Sequence, residues 1–412
     1  MKVAVIGAGA AGCFCAIQLR RSMPDASVDV YEAGRKPLAK VAITGGGRCN
    51  LTNSFDGVVN MAEVYPRGTQ LMKRALKHFS PQDTWRWFES EGVALVLQDD
   101  RCVFPASQDA LEITGTLMRL MRQTGVSVHT GCRVSSIVPP SGECRRFSIS
   151  FVREDGSEAV ASADAVVVTT GGSPKASGIS FLSPLNLELV PPVPSLFTFR
   201  VDDTGIKALM GNVVDKVTLS IPGTKMKASG TLLLTDWGFS GPAALKLSSY
   251  AARYLSERSY NSPVAVNWLG DANEQDARGM LQGIISSSGK KMITGARPDC
   301  LTSRLWEHLL SRAGLRTDMR WGELGSKGFN KLVSTLACDC YRICGRAAFK
   351  EEFVTCGGVS LDNIDINTLE CKKHPGLYFA GEVLDVDAVT GGFNLQAAWS
   401  TAYICAESIS RL

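Results

Sequence analysis

The first residues whose type and spacing could do chemistry are Gly7, Gly9 and Gly12, in Val5-Ile6-Gly7-Ala8-Gly9-Ala10-Ala11-Gly12. They lie between an apolar run, Val3–Ile6, and a segment of helical pattern, Ala10–Ser22. In that setting the first glycine permits a tight turn and the second lets a pyrophosphate approach the backbone. The third lets the helix pack on the strand. The free N–H groups and positive end of the helix then meet the phosphate charge. Glu32 follows Gly12 by twenty residues, at the end of the alternating run Val28–Glu32. A carboxylate there can accept hydrogen bonds from ribose hydroxyls. Strand, helix and acid in register point to a dinucleotide; glycines alone could be an ordinary turn.

A second cluster is Thr44-Gly45-Gly46-Gly47-Arg48-Cys49-Asn50-Leu51-Thr52-Asn53. Three successive glycines, Gly45, Gly46 and Gly47, let backbone N–H groups crowd an anion or a ring edge. Arg48 could neutralise phosphate, and Asn50 could bond a ribityl chain or flavin edge. Cys49 has none of the four histidines (His78, His129, His308, His374) near it in sequence. It reads as a structural or cofactor-contacting thiol rather than a nucleophile.

The third cluster runs from Tyr378-Phe379-Ala380-Gly381-Glu382 to Thr390-Gly391-Gly392-Phe393-Asn394-Leu395-Gln396. Gly392 precedes a helical pattern whose first N–H groups could face a flavin N1–C2=O edge, which gains negative charge on reduction. Glu382, Asp385 and Asp387 could bind ribityl hydroxyls or cap the turn.

The first fingerprint fits NAD as well as FAD. No second nucleotide fingerprint occurs in mid-chain; Thr169-Thr170-Gly171-Gly172 lacks a third glycine and a following acid. Cys49 has no closely spaced partner, which disfavours a thiol–disulfide reductase. With the second and third clusters, these features narrow the cofactor to non-covalent FAD.

The elements that must position these residues follow from periodicity. Val3–Ile6, the helix Ala10–Ser22 and Val28–Glu32 make a βαβ unit. Residues 69–92 and 109–125 carry helical spacing, and 101–107 reads as a loop with an apolar centre. Phe147–Arg153 and Glu158–Ala161 read as a hairpin, and Ala165–Thr169 as a buried strand. Val190-Pro191-Pro192-Val193-Pro194 reads as a poor strand or helix and a domain boundary. Leu377–Gly381 is a short buried strand and Asn394–Ile409 a long helix.

The fold class is therefore α/β: a Rossmann-like FAD-binding domain interrupted by a β-barrel-like insert and a small helical subdomain. The expected bounds are 1–190 and 352–412 for the FAD-binding domain. They are 191–273 and 336–351 for the insert, and 274–335 for the helical subdomain. A chain of 412 residues suits several cores.

A net charge of +4 is too small to imply a nucleic acid or a membrane. Only residues 286–333 are locally basic, and they read as a solvated helical face or as a docking surface for an anionic partner. The first apolar run starts too near Met1 for a signal peptide, and no run of about eighteen apolar residues occurs. The expected location is the cytoplasm, where thirteen irregularly spaced cysteines stay reduced. Cys338, Cys340, Cys344 and Cys356 lack the paired spacing of a zinc site, so no metal is expected. The sequence sets no oligomeric state.

The chain resembles the BaiN-like flavoproteins, also described as aminoacetone-oxidase-type FAD-binding enzymes. The matching segments are Val5–Gly12, Ile43–Asn53, Val103-Phe104-Pro105, Thr170-Gly171-Gly172, Leu234–Pro242, Gly357-Gly358-Val359-Ser360 and Gly376–Gln396. The resemblance implies FAD contacts from Ala11, Glu32, Gly46, Gly47, Arg48, Cys49 and Asn50, and from Val134 at the adenine. It implies further contacts from Gly381, Glu382, Asn394 and Leu395 at the flavin. Thr170, Gly171 and Gly392, in matching segments, are grouped with them. Two departures, Arg101-Cys102 before Val103 and Cys356 before Gly357, fall where they could line the substrate side. The resemblance further implies hydride transfer at flavin N5 with a small or sterol-like substrate, by enone reduction or amine oxidation. NAD(P)H is a candidate electron donor. No catalytic residue is named, and the alternative is a flavin-containing RNA-modifying or nucleic-acid-binding factor using residues 286–333.

Overall fold

The structure, a computed structural model, describes residues 1–173, 175–347 and 354–412. Two compact units divide the chain, Met1–Val193 with Val354–Leu412 and Pro194–Phe353. The expected return point near residue 352 lies outside the described residues.

The first unit is built on a parallel sheet in the spatial order Leu377–Phe379, Ala165–Val168, Lys2–Ile6, Ser27–Tyr31, Ser127–His129. Near-continuous apolar runs form its centre; Val3–Ile6 and Ala165–Val168 are buried, as strands covered on both faces must be. Chain order reverses between Lys2–Ile6 and Ala165–Val168. That is the switch point at whose strand ends open α/β sheets bind ligands. The first helix, Ala10–Ser22, begins there. Its inner face meets the C-terminal helix Phe393–Ser410, and Phe14 packs against Phe79, Trp87 and Trp399. An antiparallel three-stranded sheet of Cys132–Val138, Phe147–Arg153 and Glu158–Ala163 lies in the chain between Ser127–His129 and Ala165–Val168.

Three readings change. Residues 69–92 form two helices, Thr69–His78 and Pro81–Ser90. Ser80 caps the second reciprocally with Asp83, and Pro81 occupies the first turn, where a missing N–H costs nothing. The expected loop 101–107 contains a buried strand, Cys102–Pro105, between Thr52–Asn53 and Leu95–Leu97. The proline-rich stretch is also a strand, Leu189–Ser195, paired with Val354–Val359 in a two-stranded sheet. Proline fits an extended edge whose N–H side needs no ladder.

The second unit contains a closed six-stranded barrel. Its order is Phe199–Val201, Gly238–Ser240, Lys227–Leu234, Val213–Ser220, Asn261–Asn267, Asp339–Arg346. Closure leaves no unpaired edge. Helices Glu274–Ser288, Ser303–Arg312 and Ser326–Ala337 belong to this unit. Trp306 and Trp321 are buried in one core with the barrel's Phe239 and Tyr341. No helix among the described residues is long and apolar enough to cross a membrane.

Candidate functional site

All of the sequence-derived site residues fall in the first unit. At the switch point Gly7 has φ +105°, and a Cβ there would stand 2.7 Å from Thr169 O. A Cβ at Gly12 would overlap Gly7 O and Thr169 Oγ1. Thr169 Oγ1 donates to Ile6 O (3.0 Å) and to Gly7 O (2.9 Å), locking the two central strand ends together. By contrast, a Cβ at Gly9 would meet nothing within 4 Å. The turn is crowded behind and open in front, the shape a pyrophosphate needs.

Glu32 is fixed by its own backbone neighbours. Oε2 accepts from Ala8 N (2.8 Å) and Oε1 from Gly34 N (2.7 Å). Each oxygen keeps a lone pair for a hydroxyl. Glu32 borders a cavity of about 480 Å³ shared with Gly7, Val134, Thr170, Gly171 and Phe181. Sequence reading missed Ser177 and Phe181, which line this cavity from a 3₁₀ segment, Ala176–Leu185; no periodic signal marks that segment.

The second and third clusters meet. In the amide orientation that satisfies both partners, Asn50 donates to Thr52 O (3.1 Å) and accepts from Gly392 N (3.2 Å). Asn53 Nδ2 donates to Gly391 O at 3.0 Å. Behind them lies a buried network that sequence reading also missed. Gln396 Oε1 accepts from Thr52 Oγ1 (2.5 Å) and Thr84 Oγ1 (2.9 Å). Its Nε2 donates to Ser400 Oγ (2.9 Å), while Trp399 Nε1 donates to Leu51 O at 3.0 Å. Gly392, at φ +86°, starts the C-terminal helix without a side-chain cap. The Asn394 side chain closes its own loop on Ala388 N and O (2.9 and 3.0 Å), so Asn394 and Leu395 offer backbone N–H groups. Gly381 lies against the first helix, where a Cβ would come 3.0 Å from Ala11 Cβ.

The acids left open by sequence have protein partners. Glu382 Oε1 accepts from Thr355 N (2.8 Å), and Oε2 lies 3.6 Å from Lys40 Nζ. Asp387 is buried and grips Arg67 through both oxygens. Asp385 N donates to Val359 O at 2.9 Å.

Cys49 is fully buried, and burial pushes its thiol up to about 12. A thiol so protonated is no nucleophile. Arg48 is exposed, with its guanidinium 4.5 Å above the Phe104 ring. Gly46 and Gly47 both face open space. Cys338, Cys340 and Cys344 are exposed in the second unit, while Cys356 is buried in the first. Among the described residues no group of three or more metal-ligating side chains converges.

The FAD expected from sequence can be tested against this geometry. An anchored carboxylate, an open glycine, and uncapped N–H groups beside a glycine loop form the donor and acceptor set that such a dinucleotide needs, and the residues fit it.

Solved structures share the architecture. A 3-ketosteroid delta1-dehydrogenase from Sterolibacterium denitrificans is 12% identical, covering 99% of this chain and 99% of its own, with a TM-score of 0.52. A quinol-fumarate reductase is 15% identical, covering 100% of this chain and 70% of its own, with a TM-score of 0.51. The fold is one that these oxidoreductases share. Within that class the chain belongs to the HI0933-like family, whose Rossmann-domain pattern matches residues 1–408. A 3-dehydro-bile acid delta(4,6)-reductase of Clostridium scindens is 27% identical, over 98% of this chain and 97% of its own. A ribosomal RNA dihydrouridine synthase of Haemophilus influenzae is 29% identical, over 99% and 98%.

Proposed function

We propose that the chain binds FAD and reduces a carbon–carbon double bond conjugated to a carbonyl. The observation that carries the reading is the joining of the two flavin-type segments through Asn50 and Gly392, in the same unit as the Glu32 cradle. Relatives support the reaction type. A bile-acid delta(4,6)-reductase and a dihydrouridine synthase are named for different substrates. Both names describe removal of a double bond that, in a 3-oxo steroid or a uracil ring, is conjugated to a carbonyl.

Glu32 takes the ribose hydroxyls, Val134 borders the adenine, and the turn from Gly7 to Gly12 with Ala11 takes the pyrophosphate. Thr170 and Gly171 line the same cavity. The glycines Gly45–Gly47 and the N–H groups from Gly392 to Leu395 meet the flavin edge, and the positive end of that helix favours the charge of the reduced state. Bound there, FAD supplies a two-electron carrier reactive at N5. Buried Cys49 and the Gln396 network keep the loop rigid, so the substrate meets a preformed surface.

A second reading makes the substrate a uridine in RNA, with Lys290, Lys291, Arg304, Lys327 and Lys331 as exposed cations on the second unit. Arg312 and Arg316 already pair with Asp339 and Asp318, which thins that basic segment. One experiment separates the readings. FAD-loaded protein is reduced anaerobically by NADH or NADPH and mixed with an enone, a primary amine or a uridine-containing RNA. Reoxidation by the enone supports the first reading, and salt-sensitive reoxidation by RNA alone supports the second. Reduction of oxidised protein by the amine reverses the proposed direction.

A further inference from the structure

Two exposed thiols of the second unit stand together where a helix runs into the barrel. Cys338 ends helix Ser326–Ala337, its N–H donating to Ser334 O at 2.8 Å. Asp339 then opens the barrel strand Asp339–Arg346, and Cys340 follows it. Residues two apart along an extended chain point to one face. Here Asp339 is buried, while Cys338 and Cys340 are turned to solvent. Cys340 Sγ donates to Cys338 O at 3.9 Å. Partial burial, and then the Cys338 side chain by its charge and a hydrogen bond, push the Cys340 thiol above its ordinary value. The two side chains are therefore in contact. Spacing alone does not achieve this. Cys13 and Cys15 are equally spaced, but both are buried in helix Ala10–Ser22, where residues two apart face different sides. Cys344 shares the outer face of the strand with Cys340 but lies about 13 Å farther along it.

We propose that Cys338 and Cys340 form a redox-sensitive dithiol that hydrogen peroxide converts to a disulfide. A thiolate of the pair attacks the peroxide: an S–O bond forms, the O–O bond breaks, and the departing hydroxide takes a proton and leaves as water. The second sulfur attacks the sulfenic acid: the S–S bond forms, the S–O bond breaks, and another water leaves. The pair gives up two electrons and two protons, and the peroxide takes them up. The reaction needs no bound cofactor, so it stands apart from the functional reading above. Cα atoms two residues apart are at most about 7 Å from each other, the outer limit of what a disulfide spans. Closure therefore draws the backbone in at Asp339. Cys338 can follow, because the strand ladder starts only at Asp339, opposite Val266. Asp339 resists. Its carboxylate accepts from Arg312 Nε (2.7 Å), Tyr341 OH (2.6 Å) and Trp268 Nε1 (3.1 Å). Oxidation thus loosens the anchor that ties helix Ser303–Arg312 and Trp268 to this strand, and reduction restores it. A loop this short constrains the unfolded chain little, so the strain decides the sign.

The test treats the reduced full-length chain and its Cys338→Ser, Cys340→Ser and Cys344→Ser variants with hydrogen peroxide, then alkylates them under denaturing conditions. Trypsin cuts after Lys331 and Arg342, so the peptide Leu332–Arg342 carries both thiols of the pair and Cys344 falls on the next. Wild type and Cys344→Ser should yield Leu332–Arg342 with an internal disulfide, reopened by dithiothreitol, and a lower urea midpoint while oxidised. Cys338→Ser and Cys340→Ser should form no disulfide there and leave a sulfenic acid that dimedone traps. Without peroxide, phenylarsine oxide, which bridges adjacent thiols, should bind wild type about 100-fold more tightly than either of those two variants. Full alkylation of both thiols after peroxide, or a bond from either of them to Cys344 or to a second chain, would overturn the proposal. Equal arsenical affinity in wild type and the two variants would do so too. An oxidised chain as stable as the reduced one would overturn the coupling through Asp339.

Discussion

At the scale of single residues, the fingerprint glycines are not equivalent, and the difference is measurable. Gly9 faces open space while a Cβ at Gly12 would strike Gly7 O and Thr169 Oγ1. Gly9→Ala should therefore cost the apo protein about 1 kcal/mol or less, the loss of a helix-capping glycine. It should weaken FAD binding about tenfold or more, because its methyl group occupies the phosphate's approach. Gly12→Ala should cost about 3 kcal/mol, at the upper end of overpacking. Denaturant midpoints and FAD titration of the two apo variants check the contrast. Cys49 gives a second prediction. Its thiol is protonated until about pH 12, so alkylation of the native protein should label the exposed Cys144, Cys300, Cys338, Cys340 and Cys344 and leave Cys49 unmodified. Peptide mapping that finds Cys49 among the first labelled residues would reopen its nucleophile reading. Residue types and short spacings were legible at this scale: Gly7, Gly9, Gly12 and Glu32 come together at the strand end because strand, turn and helix are contiguous. Gln396 and Thr52 were not legible, because their bond joins positions 344 apart.

At the scale of elements, the legible ones had a clear period or cap. Ala10–Ser22 and the C-terminal helix follow the sequence reading to within a residue or so. Misread segments owe their form to distant partners. Leu189–Ser195 is extended because Val354–Val359 comes back to pair with it, and no local propensity in this proline-rich sequence shows that. Cys102–Pro105 is a strand because Thr52–Asn53 and Leu95–Leu97 flank it. The segment from Gly381 to Gly392 is held to the start of helix Thr69–His78 by Arg67 and Asp387, with Asp387 fully buried. Asp387→Ala removes the carboxylate that grips a largely buried guanidinium and should cost about 3–5 kcal/mol. The double variant Arg67→Met/Asp387→Leu should recover roughly half of that, since apolar replacement removes both desolvation penalties. Urea melts of the three proteins decide it; a double variant as unstable as the single one would contradict the pairing argument.

At the scale of the whole molecule, buried thiols lower stability as pH rises into the alkaline range. Burial raises Cys15 and Cys49 to about 12 from the ordinary 9.0. Between those values the unfolded chain has released protons that the folded chain retains. Stability therefore falls as pH rises through that window, by about 1.4 kcal/mol per pH unit for each thiol. The Cys15→Ala/Cys49→Ala double variant should show a flatter decline in urea midpoint from pH 9 upward; an unchanged slope would contradict the burial account. The fold class, a Rossmann-like part with a barrel-like insert, was legible in the buried βαβ runs and the change of texture after Pro191. The register of six barrel strands was not, because closure depends on pairings spread from Phe199 to Arg346.

The cofactor is the claim on which the rest depends. Isothermal titration of the apo chain with FAD and, separately, with NAD⁺ tests it most directly. One FAD bound per chain, with NAD⁺ binding far more weakly and FAD binding weakened by Gly9→Ala, is the result this account predicts. Preference for NAD⁺, or no FAD binding by a folded apo protein, would contradict it.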